Sequence, residues 1–282
     1  TFTKNIKGKI RLNYNLKNHT WLNIGGNAKI FFVPETLAEL REFLIYLKKG
    51  DNNFFLLGAG SNLLISENIQ NRIFIKLGKN FNKISLMNDN IVIAGCSILD
   101  KNVSDFATNN NLSGLEFLSC IPGSVGGGIR MNSGCFGKEF KDVLLSVQVM
   151  DYDGKVYTID SKNINFEYRK ISLPKNLIFL SASFKTFKKD RKEIEDTINK
   201  FKQKKENSQP LRVKTGGSTF KNPKAQTKKK VWELIRESVD NQINFGDAKI
   251  SDKHSNFFIN SKNASFENMY NLINFVKDKV KD

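Results

Sequence analysis

Cys120–Gly137 reads CIPGSVGGGIRMNSGCFG, with glycine at 123, 126, 127, 128, 134 and 137. Glycines this dense cost backbone entropy on folding, so a rigid domain carries them only where it needs unusual φ/ψ or close approach. A flexible linker is the competing reading. The interleaved Ile121, Pro122, Val125, Ile129, Met131 and Phe136 oppose it, so the stretch reads as a ligand loop in a folded body. A second glycine segment, LGAGSNLLI at Leu57–Ile65, follows a short strand, FFLL. Backbone N–H groups in such a turn can converge on phosphate oxygens. A Rossmann fingerprint would need glycine at 63, where Leu63 stands, and the Gly-Lys-Ser/Thr of a Walker loop is absent. Taken alone, the segment leaves a tight turn and a phosphate cradle equally open.

Outward from these loops the periodicities alternate between strand and helix. ETLAELREFLIYLKKG places Leu37, Leu40, Phe43, Leu44 and Leu47 on one helical face, and Thr36 with Glu39 has capping-box spacing. RIFIKL, IVIAG and LIFLSASFKT read as strands, and VLLSVQVMDYDGKVYTI as a hairpin turning at Asp153-Gly154. FKKDRKEIEDTINKFKQKKEN mixes both charge signs and sets Ile194, Ile198 and Phe201 at helical spacing. Beyond about Leu211, helical stretches near Val231–Val239 and Phe266–Val280 flank INFGDAKISDKHSNFFIN, and Met269, Ile273, Val276 and Val280 line the buried face of the last helix. The class is α+β.

The 282 residues can bury a sizeable core. No apolar run reaches the roughly 20 residues a membrane span needs, and the polar start TFTKNIKGKIRLNYNLKNH reads as no secretory signal. Cys96, Cys120 and Cys135, an odd number among small residues, read as reduced thiols, and the cytoplasm is the default location. Lys and Arg outnumber Asp and Glu by 45 to 28, a net +17. The lysines are dispersed, so the excess suits attraction of small polyanions, with nucleic-acid binding as the rival.

KTGGSTFKNP at Lys214–Pro223 reads, by itself, as a glycine turn with a serine bonding its own backbone. Together with NIGGNAKIFFVP, LGAGSNLLI, GLEFLSCIPGSVGGGIRMNSGCFG, FEYRK and AKISDKHSNFFIN, in that family's order from about Thr20 onward, it resembles the UDP-N-acetylenolpyruvoylglucosamine reductases. The resemblance implies an FAD-binding vanillyl-alcohol-oxidase/PCMH-type fold of two subdomains, residues 1–78 and 79–205, plus a C-terminal α+β substrate-binding domain, 206–282. It implies the family's shorter type, since no long tyrosine-bearing insertion precedes the last domain. The implied reaction is reduction of an enolpyruvyl ether of a UDP-sugar in peptidoglycan precursor synthesis, with FAD as cofactor and NADPH as co-substrate. The implied enzyme is cytoplasmic and monomeric, with no nucleic-acid partner and no membrane insertion.

By that resemblance Arg169 binds the substrate carboxylate, where a guanidinium suits the charge that develops, and Ser218 is the proton donor. Gly58, Gly60, Ser61, Asn62, Gly123, Ser124, Gly126 and Gly127 match the FAD pyrophosphate loops, while Asn132 and Gly134 lie in a companion turn. Tyr168 packs beside Arg169, Asn222 contacts substrate, Lys221 attracts its diphosphate and His254 lines the pocket. From the residues alone, Arg169 also reads as a surface arginine, Tyr168 as a core aromatic, Lys221 as a solvated lysine and His254 as a structural hydrogen-bonder. No cluster has metal-ligand spacing.

The resemblance also implies a catalytic glutamate in a Leu-Glu-x-Glu context just after the last helix. The sequence given stops at Asp282, where that helix is finishing, and neither Glu267 nor Glu237 matches the position. Either the natural protein carries a tail beyond this sequence that supplies the acid, or it works without it, in which case it binds FAD but turns over poorly. The remaining alternatives are a same-fold flavin oxidoreductase on another substrate and a non-catalytic basic protein that binds nucleotide or nucleic acid.

Overall fold

The computed structural model describes residues 6–49, 53–69, 71–223 and 225–281. The chain divides into two compact units: Thr1–Asn13, Lys29–Ala59 and Asn71–Gln203 form the first, and Tyr14–Ala28, Gly60–Gln70 and Lys204–Asp282 the second. The second unit therefore recruits two segments from the N-terminal third. No sequence pattern announced that exchange.

Strands β1 (Lys9–Asn15), β2 (Asn27–Val33), β3 (Phe54–Leu56) and β4 (Ile73–Ile75), which belong to the first unit except for Tyr14, Asn15, Asn27 and Ala28, form a sheet in the order β1-β2-β4-β3. Both β2 and β3 run parallel to β4, so the chain leaves β3 and β4 at the same edge of the sheet. Helix α1 (Leu37–Lys49) buries Leu40, Phe43, Leu44 and Leu47 together with Phe32, Ile73 and Ile75. Leu37, expected on that face, is 43% exposed, because the first turn is spent on capping rather than packing. The capping box forms as read, Glu39 N donating to Thr36 Oγ1 at 3.1 Å and Thr36 N to Glu39 Oε2 at 3.3 Å.

A second sheet runs β8-β7-β11-β6-β5, from β5 (Ile84–Met87), β6 (Ile91–Gly95), β7 (Leu144–Asp151), β8 (Val156–Asp160) and β11 (Leu177–Lys185). The hairpin of β7 and β8 turns at Gly154, whose φ of +80° needs glycine. On this sheet lies a core including Phe117, Val125, Ile129, Phe140, Val147 and Phe184, and against it pack α2 (Asp100–Asn109) and α3 (Val125–Arg130). Neither helix was legible beforehand, α3 because a Gly-Gly-Gly run argues against helix. A Cβ on Gly128 would stand 2.3 Å from the Phe140 ring, so the glycine lets that short helix seat on the core. Two-residue strands β9 (Phe166–Glu167) and β10 (Lys170–Ile171) form a small hairpin. All three cysteines are free.

Helix α4 (Arg191–Ser208) contains the boundary between the units and buries Ile194 and Ile198. In the second unit, β12 (Lys214–Ser218), β13 (Asn244–Phe245), β14 (Ala248–Ser251) and β15 (His254–Asn260) order as β12-β15-β14-β13. Helices α5 (Val231–Ser238) and α6 (Phe266–Lys281) share with this sheet a core of Ile235, Ile250, Phe258, Met269, Leu272 and Val276, to which Leu22 and Ile24 contribute. Ile273 and Val280 are only partly buried there, and Leu272 holds the centre of the α6 face.

Candidate functional site

Where β3 and β4 release the chain, a cavity of about 540 Å³ opens in the first unit. Its wall joins both glycine segments: Gly58 from the first, and Ser124, Gly126 and Gly127 from the second. They lie close, for a Cβ on Gly58 would be 2.7 Å from Ser124 Oγ. Gly126 sits against strand β6, its N–H bonded to Cys96 O at 2.9 Å, with 3.2 Å left between an added Cβ and that residue. The C-terminal edge of parallel strands, with glycines on both sides, is where an open sheet admits a phosphate-bearing ligand. Phe54, Leu57, Leu77, Tyr152 and Phe179 supply apolar wall for rings. Size, glycine cradle and aromatic lining fit a flavin dinucleotide.

The other expected cofactor residues occupy different places. Gly60, Ser61 and Asn62 belong to the second unit. Gly60, at φ +70°, is demanded by the chain itself, since a Cβ would lie 1.9 Å from His19 O. Gly123 packs against Asp100, with 2.9 Å between its added Cβ and Oδ2. Asp100 belongs to no motif that would mark it: it is fully buried, among the described residues neither carboxyl oxygen is hydrogen-bonded, and burial holds its pKa well above the usual carboxylate range. A buried carboxyl group thus lies beneath the second glycine loop.

Arg169 sits in the tight turn of the β9-β10 hairpin at φ +57°, a left-handed conformation uncommon for arginine. Its guanidinium donates to Asn132 O at 3.2 Å and Gly134 O at 3.3 Å, and lies 5.5 Å from the Tyr168 ring centroid. Asn132 and Gly134 therefore hold the arginine through their carbonyls. The Asn132 side chain is itself consumed internally, donating to Glu139 Oε2 and Glu167 O and accepting from Lys141 N. This asparagine, fully buried at φ +39°, positions the turn rather than presenting an amide outward.

In the second unit, Ser218 ends β12 opposite Phe257, after a register shift that begins at Thr215 and leaves Gly216 and Gly217 bulged. Gly217 has φ +79°, and Ser218 is exposed. Beyond it, Phe220 N donates to Asn256 Oδ1 at 2.9 Å and Asn256 Nδ2 to Phe220 O at 3.0 Å. Asn222 Oδ1 accepts from Val231 N at 3.0 Å, tying the loop to the start of α5, while Lys221 is exposed. His254 lines a separate polar cavity of about 390 Å³ with Trp232, Arg236 and Lys253. Burial pushes its pKa down, and its Nδ1 accepts from Asn256 N at 3.2 Å. A neutral ring thereby braces the asparagine that holds the serine loop.

Comparison with known proteins accounts for this pairing of elements. Residues 28–160 match a model of the FAD binding domain, and 209–282 a model of the C-terminal domain of UDP-N-acetylenolpyruvoylglucosamine reductase. The reductase of Pelagibacter ubique is 53% identical over 99% of this chain and 92% of its own length. That of Rickettsia prowazekii is 43% identical over 98% of this chain and 92% of its own. The crystal structure of the Thermus caldophilus enzyme superposes with a TM-score of 0.84 at 30% identity, covering 97% of this chain and 96% of the other. The fold is the α+β, FAD-binding vanillyl-alcohol-oxidase/PCMH type with a C-terminal domain.

Proposed function

Because the chain belongs to the UDP-N-acetylenolpyruvoylglucosamine reductase family, we propose that Arg169 and Ser218 carry the chemistry of an FAD-dependent reduction of UDP-N-acetylglucosamine enolpyruvate to UDP-N-acetylmuramate. The protein is an FAD oxidoreductase of peptidoglycan precursor synthesis, with NADPH as reductant. When bound, FAD would supply the hydride chemistry that links NADPH to the vinyl carbon of the substrate.

The rest falls to the protein. Gly58, Ser124, Gly126 and Gly127 hold the dinucleotide against the strand ends. As the hydride arrives, negative charge grows on the neighbouring carbon and its carboxylate, and the Arg169 guanidinium binds that carboxylate most tightly where the charge is greatest. The carbonyls of Asn132 and Gly134 fix the guanidinium beforehand, so little reorganisation is needed at the transition state. The Ser218 hydroxyl then gives its proton to the carbanion-like carbon. A neutral hydroxyl is a weak acid, so it serves only beside so basic a centre. Asn222 and Lys221, on the loop that Asn256 holds, receive the UDP portion. We place this enzyme in the cytoplasm as a monomer acting on a UDP-sugar without a nucleic-acid partner; among the described residues no helix is long and apolar enough to cross a membrane.

The observation that carries the reading is Arg169 itself, an arginine in a left-handed turn with its guanidinium pre-set by two carbonyls, in a chain 53% identical to a named reductase. The test is the visible spectrum of the purified protein, recorded anaerobically after NADPH and then after the enolpyruvyl UDP-sugar. The flavin band should bleach with the first and return with the second. A protein that cannot be loaded with FAD would overturn it.

A further inference from the structure

Three cations line the cavity below β3 and β4, the partly buried Lys76 and Arg130 and the exposed Lys175, and among the described residues no aspartate or glutamate does. Lys76, the residue after β4, donates from Nζ to Gly58 O. Arg130, closing α3, donates from Nη1 to Leu173 O at 3.2 Å and Pro174 O at 3.0 Å and from Nη2 to Leu177 O at 2.9 Å, with Cζ 4.4 Å from the Phe179 ring centroid. Among the described residues neither forms an ion pair. Burial pushes both pKa values down, which marks the environment as one where a positive charge is disfavoured as it stands.

Backbone carbonyls satisfy the donors, but they bring no net negative charge. Withdrawing a cation from water without an anion is costly, and proteins retain such groups where a ligand supplies the missing charge. The ligand must then be an anion that reaches Gly58 and the neighbouring Ser124 loop. A diphosphate matches two cations in charge, and its flanking rings match the apolar walls.

We propose that Lys76 and Arg130 neutralise the diphosphate of the dinucleotide in this cavity, supplying charge where the glycine loops supply only backbone dipoles. The assignment rests on the FAD reading above, and it makes Lys76 a direct contact of the diphosphate.

Two readouts on Lys76→Met separate this from a structural role. The first is FAD affinity of the flavin-stripped protein, followed by fluorescence quenching; the second is the thermal midpoint of the same stripped protein. Loss of one charge-assisted contact predicts FAD binding weaker by about tenfold to a hundredfold. Removal of an uncompensated charge predicts a flavin-free midpoint that is unchanged or higher. Lys76→Arg should retain most of the affinity, and the wild-type affinity should fall with added salt. Equal FAD affinity in wild type and Lys76→Met would overturn the proposal, as would a lower midpoint accompanying weaker binding. Wild-type protein that takes up no FAD would instead bring down the flavin reading itself, a distinguishable failure.

Discussion

Arg169 and Ser218 reach their places through backbone conformations that most residues avoid. The arginine stands at φ +57° and the serine follows a glycine at φ +79°. Replacing Arg169 with lysine keeps the charge but loses the planar fork that two carbonyls orient, so kcat for sugar reduction should fall about a hundredfold or more. Ser218→Ala should produce a similar fall by removing the proton. In both variants flavin reduction by NADPH should proceed at the wild-type rate, since neither side chain takes part in it. Anaerobic stopped-flow measurement of the two half-reactions checks this, and equal slowing of both would mean the substitutions had disturbed the flavin site instead. The resemblance named these residues, yet FEYRK contains no sign that its arginine turns left-handed or that its guanidinium meets the Asn132 and Gly134 carbonyls, more than thirty residues away.

Glu39 shows how a local motif gains long-range work within an element. Its capping box with Thr36 was legible from spacing alone. The same carboxylate also accepts from Gly8 N at 3.2 Å and Glu35 N at 2.8 Å, and from Lys7 N. Burial alone would raise its pKa, but these backbone donors outweigh burial and hold it below the usual value. The folded state therefore favours the ionised form. Its contribution is complete above the unfolded pKa and is lost as pH falls through the lower folded one. Glu39→Gln should cost about 1–3 kcal/mol at neutral pH, and the difference from wild type should shrink below about pH 4, as urea melts across that range would show. In α3 the opposite happened, since the glycines that argued against helix are what let it approach the Phe140 ring. Gly128→Ala should destabilise by about 1–3 kcal/mol through overpacking, read as a lower thermal midpoint. Strands with alternating or apolar runs were legible because their pattern is local; α2 and α3 were not, because their seats are set by residues distant in sequence.

At the scale of the molecule, the chain passes from the first unit to the second at Gln203–Lys204, and two earlier segments, Tyr14–Ala28 and Gly60–Gln70, belong to the second unit as well. Leu22 and Ile24 are 6% and 1% exposed in the second unit's core. Asn260, itself buried, donates from Nδ2 to Leu22 O at 2.9 Å, and Phe266 N at the start of α6 donates to the Glu67 carboxylate at 3.1 Å. A fragment of Lys204–Asp282 would therefore lose two buried aliphatic side chains, the partner of a buried amide and the anion at a helix N-terminus. Each aliphatic side chain contributes about 1.5–3 kcal/mol, and the buried amide left without its acceptor costs about 1–3 kcal/mol more. Together they approach the whole stability of a small domain, about 5–15 kcal/mol. That fragment should show no cooperative thermal transition by circular dichroism and a collapsed amide spectrum, whereas the full chain melts cooperatively. A sharp transition in the isolated fragment would mean that Ile235, Phe258 and Leu272 suffice as a core. The crossing segments would then serve to bring Gly60, Ser61 and Asn62 into the second unit rather than to hold it together.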